Sequence, residues 1–153
     1  MSSPSSSRAT AAMKRHVLII EDNAPDALLA ELVHDEVRHC STLDIVNTGA
    51  AALRYLRREG EFADRERPDL ILLDLKMPGE SGFDLLTAIR RIEGFELIPI
   101  VVCSGSIYPP DARKAYELGA NAVIHKPADL KEFFRVLGAC YEFWCTASVL
   151  PSN

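Results

Sequence analysis

The sequence predicts an α/β protein, a doubly wound five-stranded parallel sheet flanked by five helices. Three observations predict it. Short apolar runs alternate with helix-period segments along the whole chain, and connections of that length force parallel strands with right-handed crossovers. The run Leu70-Ile71-Leu72-Leu73 is uniformly aliphatic, as a strand buried on both faces must be. Each apolar run ends abruptly in polar residues, so the chain turns at one rim of the sheet.

Taken in order, His16 to Ile20 is the first strand, ending in Glu21-Asp22-Asn23. A helix starting near Pro25, a residue suited to a first helical position, carries Leu28, Leu29, Leu32 and Val33 as a stripe expected to face the sheet. Leu43 to Val46 alternates and reads as an edge strand, and residues 49–58 form the second helix. A charged loop from Gly60 to Pro68 precedes the third strand, which ends in Asp74 and turns at Pro78-Gly79. A third helix follows Gly82 with Phe83, Leu85, Leu86 and Ile89. Pro99 to Cys103 is the fourth strand, leading into Ser104-Gly105-Ser106, and a helix from about Pro110 to Leu118 stops at Gly119. Ala122 to His125 is the fifth strand, followed by Lys126-Pro127, and the last helix runs from Asp129 into Phe143-Trp144.

The chain of 153 residues is expected to divide into a disordered Ser-rich tail over 1–14, one folded domain over 15–143 and a C-terminal extension over 144–153. Met13 is an alternative start. A net charge of −5 argues against nucleic acid or an anionic membrane as partner, and no apolar run reaches the ~18 residues of a membrane span. Cys40, Cys103, Cys140 and Cys145 lack metal or redox spacing, and His16, His34, His39 and His125 form no ligand pattern. Without a secretory leader, the expected setting is a reducing cytoplasm.

Glu21, Asp22, Asp74, Ser104 and Lys126 all follow strands, so parallel strands bring them to one rim. Singly, each has a plain explanation: acids favour a helix N-terminus, a serine caps, a lysine is solvated. Jointly they describe a site. Two carboxylates ~4 Å apart repel by ~4 kcal/mol at an effective dielectric of 20, so three call for a cation or a raised pKa. An all-oxygen set favours Mg²⁺ completed by phosphate oxygens. Lys126 and Ser104 add the charge and donor a phosphoryl group needs, with a carboxylate in reach as nucleophile.

The segments LIIEDN, LILLDLKMPGESG, IPIVVCSGS and GANAVIHKP, in this order and spacing, resemble the receiver domain of two-component response regulators over residues 16 to about 140. The resemblance implies a flavodoxin-like sheet of order 2-1-3-4-5. It implies that Asp74 accepts a phosphoryl group from a sensor histidine kinase and that Glu21, Asp22, Asp74 and the main-chain carbonyl of Lys76 surround Mg²⁺. Ser104 and Lys126 would each contact a phosphoryl oxygen, Gly105 would leave room for the donor, and the Lys126–Pro127 bond would be cis. Such a protein is a signalling switch and not an enzyme, catalysing only its own phosphorylation and dephosphorylation. One departure stands out. Val123 occupies the place where receivers usually carry a Tyr or Phe that swings with the hydroxyl, and Val has no ring to swing.

The aromatic end of the chain, with the F-W-x-x-x-x-x-L-P pattern and the YLRREGEFADRERPDLILLDL stretch, looks like the stand-alone regulators paired with bacterial and cyanobacterial phytochromes. That implies a bacteriophytochrome kinase as partner. Phe134, Tyr141, Phe143 and Trp144 are the expected interface of a homodimer. A phosphorylation-independent adaptor with the same fold is the alternative. An aspartyl phosphatase would want an acid where Lys76 stands, and a nucleotide or flavin carrier would want a glycine-rich loop after the first strand.

Overall fold

The computed structural model describes residues 14–37 and 41–151. The expected disordered tail up to residue 13, the alternative start at Met13, and His39 and Cys40 lie outside the described residues.

Strands β1 (Arg15–Ile20), β2 (Ser41–Val46), β3 (Leu70–Leu73), β4 (Ile100–Ser104) and β5 (Ala122–His125) form one sheet in the order β2-β1-β3-β4-β5. Every pairing is parallel, with Ile20 beside Val46 and Leu73, Leu73 beside Val102, and Ser104 beside His125. This is the doubly wound order expected. The helices are α1 (Ala24–Val37), α2 (Gly49–Leu56), α3 (Gly82–Arg91), α4 (Pro109–Glu117) and α5 (Leu130–Glu142), the last running into a π-helical turn over Phe143–Ala147. The boundary expected between 143 and 144 therefore falls inside one helical segment. Among the described residues no helix is long and apolar enough to cross a membrane.

The alternation of strand side chains sorts the core into two layers. Leu18, Ile20, Ile71, Leu73, Ile100 and Val102 pack against α2, α3 and α4. Val17, Ile19, Leu70, Leu72, Val101 and Cys103 pack against α1 and α5. Burying each such side chain contributes ~1.5–3 kcal/mol, and both faces are needed because every residue of β3 is buried.

Local chemistry sets the element ends. The Thr48 hydroxyl accepts from the Ala51 N–H at 3.0 Å to start α2, and the Ser81 hydroxyl accepts from Asp84 at 3.2 Å to start α3. Between β3 and α3 the chain makes a small antiparallel ribbon, Lys76–Met77 against Glu80–Ser81, turning at Gly79 with φ 75°. Gly82 then has no substitute, since a Cβ there would lie 2.5 Å from the Leu75 Cα. At the opposite rim, Arg90 closes the α3–β4 and α4–β5 loops. Its guanidinium donates to the carbonyls of Ile98 (2.6 Å), Phe95 (3.1 Å) and Gly119 (3.1 Å) and to the Asn121 side chain (2.9 Å).

Three expectations need correction. Only part of the α1 stripe faces the sheet: Leu29 and Val33 are buried, but Leu28 and Leu32 are 56% and 50% exposed. The two pairs sit about 100° apart on the helix and the sheet covers one. Tyr141 is fully buried, its hydroxyl donating to the Ala30 carbonyl at 3.2 Å, so it fastens α5 to α1 and cannot meet a second chain. No peptide bond among the described residues is cis, so Lys126–Pro127 is trans, the isomer a prolyl bond intrinsically favours.

Of the other aromatic residues expected at an interface, Phe134 is 37% and Phe143 54% exposed. Trp144 is half-buried against the α1–α5 layer, and its ring meets Phe143 edge-on at 5.0 Å. Arg15, at the start of β1, donates to the carbonyls of Trp144 (2.7 Å) and Ser148 (3.0 Å), fastening this last segment to the sheet.

Candidate functional site

The site lies where β1, β3, β4 and β5 end. Glu21 follows β1 with its N–H bonded to the Val46 carbonyl (3.0 Å), and the Asp74 N–H bonds the Ile20 carbonyl (3.1 Å). The sheet ladder thus places these two acids side by side. The ladder also brings Lys126 across, its N–H bonding the Ser104 carbonyl at 2.8 Å.

The side chains of Glu21, Asp22, Asp74 and Lys126 come together, and Ser104 is tied to them through its backbone carbonyl. The carboxylates of Glu21, Asp22 and Asp74 each offer an oxygen within 4.8 Å of the others, Glu21 and Asp74 buried and Asp22 exposed. The Lys126 ammonium lies 2.5 Å from Glu21 Oε1 and 3.3 Å from Asp74 Oδ2. The other Asp74 oxygen accepts from the Lys76 N–H at 3.0 Å, which fixes the carboxylate plane. Lys76 lines the cleft, and its ammonium lies 3.9 Å from Asp111. Ser104 is fully buried and its hydroxyl has no hydrogen-bond partner among the described residues. A cleft of about 550 Å³ leads in past Asp22, Asp74, Gly105 and Ser106. A Cβ on Gly105 would meet nothing within 4 Å, so the approach is open.

The electrostatics follow from this packing. Burial pushes the Glu21 carboxyl up to about 7; the hydrogen bond and charge of Lys126 oppose that, and Asp74 adds to it. Burial by itself would lower the Lys126 ammonium, but hydrogen bonds to Asp26 and Glu21 outweigh it and hold the group above its usual value. Burial pushes the nearby Cys103 thiol up to about 12, so this group stays protonated and is no nucleophile. The site has more carboxylates than the one ammonium balances, and Asp22 opens it to solvent. A divalent cation with oxygen preference fits that donor set, and the orphaned Ser104 hydroxyl fits an incoming oxyanion.

One member was not read from the sequence. Asp26, in the first turn of α1, reaches Lys126 at 2.9 Å. Its only linear signal is an acid at a helix start, which the helix dipole already explains. At the place where a swinging ring was missed, the Val123 N–H donates to the Tyr116 hydroxyl of α4 at 3.1 Å.

The family model of the response-regulator receiver domain matches residues 17–137. The chain belongs to that family, whose members bind a divalent metal at such an acidic cluster. Among its relatives is the response regulator Rcp1 of Synechocystis, 34% identical over 140 residues that cover 89% of this chain and 92% of that protein. The crystal structure of the phosphorylated cyanobacterial phytochrome response regulator RcpA superposes with a TM-score of 0.86 at 36% identity, over 91% of this chain and 99% of that one. The Mn²⁺-bound form of Rcp1 gives 0.84 at 32% identity, over 90% and 99%. The protein is thus a receiver-domain response regulator related to regulators of the phytochrome pathway.

Proposed function

We propose that the protein is a phosphorylation-controlled switch in which Asp74 accepts a phosphoryl group from a sensor histidine kinase, with a bacteriophytochrome as the kinase. The observation that carries this reading is buried Asp74 with a lysine 3.3 Å away and with the Glu21 and Asp22 carboxylates gathered within 4.8 Å of it. Asp74 Oδ2, the oxygen not held by the Lys76 N–H, attacks phosphorus; an O–P bond forms as the donor's P–N bond breaks, and the departing imidazole nitrogen takes the electron pair of that bond and a proton from solvent. Lys126 and Ser104 receive the phosphoryl oxygens, one by charge-assisted hydrogen bond and one through the hydroxyl. The Lys76 N–H holds the second Asp74 oxygen in place. Glu21, Asp22, Asp74 and the main-chain carbonyl of Lys76 would hold Mg²⁺, which when bound neutralises charge on the transferring group.

The exposed faces of Phe134 and Phe143, with the edge of Trp144, form the surface of a homodimer in this reading. Tyr141 takes no part. The likeness to phytochrome response regulators, RcpA among them, supports the choice of kinase.

Wild-type protein with Mg²⁺ and acetyl phosphate should gain one phosphoryl group by intact mass, and Asp74→Asn none. A wild type left unmodified by both acetyl phosphate and a phosphorylated kinase would leave only the adaptor reading. The dimer is tested by mass in solution at micromolar concentration. A monomer, with or without phosphorylation, removes it.

A further inference from the structure

We propose that Asp26 is a positioning residue that competes with the phosphoryl group for the Lys126 ammonium, and so sets the balance between free and phosphorylated Asp74. The proposal rests on the reading of Asp74 as phosphoacceptor.

An ammonium has three N–H donors, and here three carboxylates take them: Glu21 at 2.5 Å, Asp26 at 2.9 Å and Asp74 at 3.3 Å. The phosphoacceptor has the longest of the three contacts. The Lys126 side chain is only 9% exposed, so little water is at hand to supply a substitute partner. Asp26 comes on a rigid element. Its N–H is held by the Asn23 side chain at 3.0 Å, and α1 is anchored by buried Leu29, Ala30 and Val33.

A phosphoryl group arriving on Asp74 takes over the N–H that Asp74 Oδ2 now holds, and for a second of its oxygens to reach Lys126 either Glu21 or Asp26 must let go. Glu21 is buried almost completely, whereas the Asp26 side chain is 29% exposed. Returning Asp26 to water costs least, since a carboxylate left buried and unpaired is heavily penalised. Asp26 is therefore the exchangeable partner. Its charge draws a cation into the cleft and resists an anion there, two effects of opposite sign from one residue. An acid that merely complemented the α1 dipole would change helix stability slightly and neither affinity.

The test uses the full chain and the Asp26→Asn variant, whose side chain keeps its shape and loses its charge. Mn²⁺ affinity is titrated by the paramagnetic signal of the free ion. Beryllofluoride, an analogue of the phosphoryl group, is titrated at saturating Mg²⁺ by fluorine NMR. Asp26→Asn should bind Mn²⁺ more weakly and beryllofluoride more tightly, each by about threefold to tenfold at low salt, as expected for one partly exposed charge. Both differences should shrink as ionic strength rises. Asp26→Ser, with thermal melts of both variants, guards against a folding defect and should give the same signs.

Loss of both affinities would make Asp26 a structural support and overturn the proposal, as would no change in either. If wild type itself takes up neither probe, the phosphoacceptor reading fails. If wild type takes up both and Asp26→Asn matches it, only the role of Asp26 fails.

Discussion

Replacing Ser104 by Ala should make the protein more stable and a worse switch. The Ser104 hydroxyl is enclosed at the end of β4 without a partner, and a buried hydroxyl in that state costs ~1–3 kcal/mol. The backbone is held independently, by the pairing of β4 with β5 and the bond from the Lys126 N–H at 2.8 Å, so a methyl group should seat without moving the strand. After allowing for lost contacts of the oxygen, unfolding should become harder by ~1 kcal/mol, which is ~2–4 °C in Tm for a domain of this size. The phosphoryl-bound state should respond with the opposite sign. A hydrogen bond to a charged group contributes ~1.5–3 kcal/mol, so beryllofluoride should bind about tenfold to hundredfold more weakly. Urea unfolding with and without Mg²⁺ and beryllofluoride measures both, the midpoint rising without ligand and the ligand-induced gain falling. Ser41→Ala is the control, because Ser41 is also buried with a hydroxyl that has no partner among the described residues but stands at the opposite end of the sheet. It should stabilise without affecting the ligand. A Ser104→Ala protein no more stable than wild type, or one that binds beryllofluoride equally well, would refute the reasoning.

The remaining predictions concern the scaffold. Arg90→Ala should lower stability by ~2–4 kcal/mol in urea unfolding, because several loop carbonyls lose their donor at once. Arg90→Lys should recover little of this, since one ammonium cannot reproduce the planar fork. His34 is held below its ordinary 6.5 because burial disfavours the imidazolium, a pull that the bond from Nε2 to the Ser41 carbonyl (3.1 Å) only partly offsets. Its unfolded state then binds more protons just below pH 6.5, so its contribution to stability is complete above that value and is lost as pH falls through the lowered one. Urea midpoints followed from pH about 7 to about 5 should therefore fall more steeply for wild type than for His34→Gln. Parallel curves would exclude His34 as a source of the slope.

The sheet and its rim could be read from the chain because their signals are local. A run such as Leu70 to Leu73 states its own burial, and an acid or lysine directly after a strand states its position. Asp26 was not legible as a site residue because its partner is 100 residues away and its local context explains it fully. Tyr141 failed for a related reason. An aromatic residue on a strongly apolar helix can face either way, and only the packing of α1 over α5 decides that Tyr141 turns inward while Phe134 and Phe143 turn out. Leu28 and Leu32 show the limit of periodicity, which gives the angle between two apolar stripes but not which of them the sheet covers.

The contact of Arg15 with Trp144 and Ser148 brings the two ends of the folded domain together. Since the strands lie in the order β2-β1-β3-β4-β5 and not in the order of the sequence, the order in which the chain visits them is not itself required. A short flexible linker from the segment after Ser148 back to Arg15, with new termini opened in the exposed stretch 63–66, would rejoin every strand pair and leave the rim untouched. Circular permutation is thus open to this receiver, and with it a way to bring a fused reporter out beside α2 instead of beside the aromatic surface of α5.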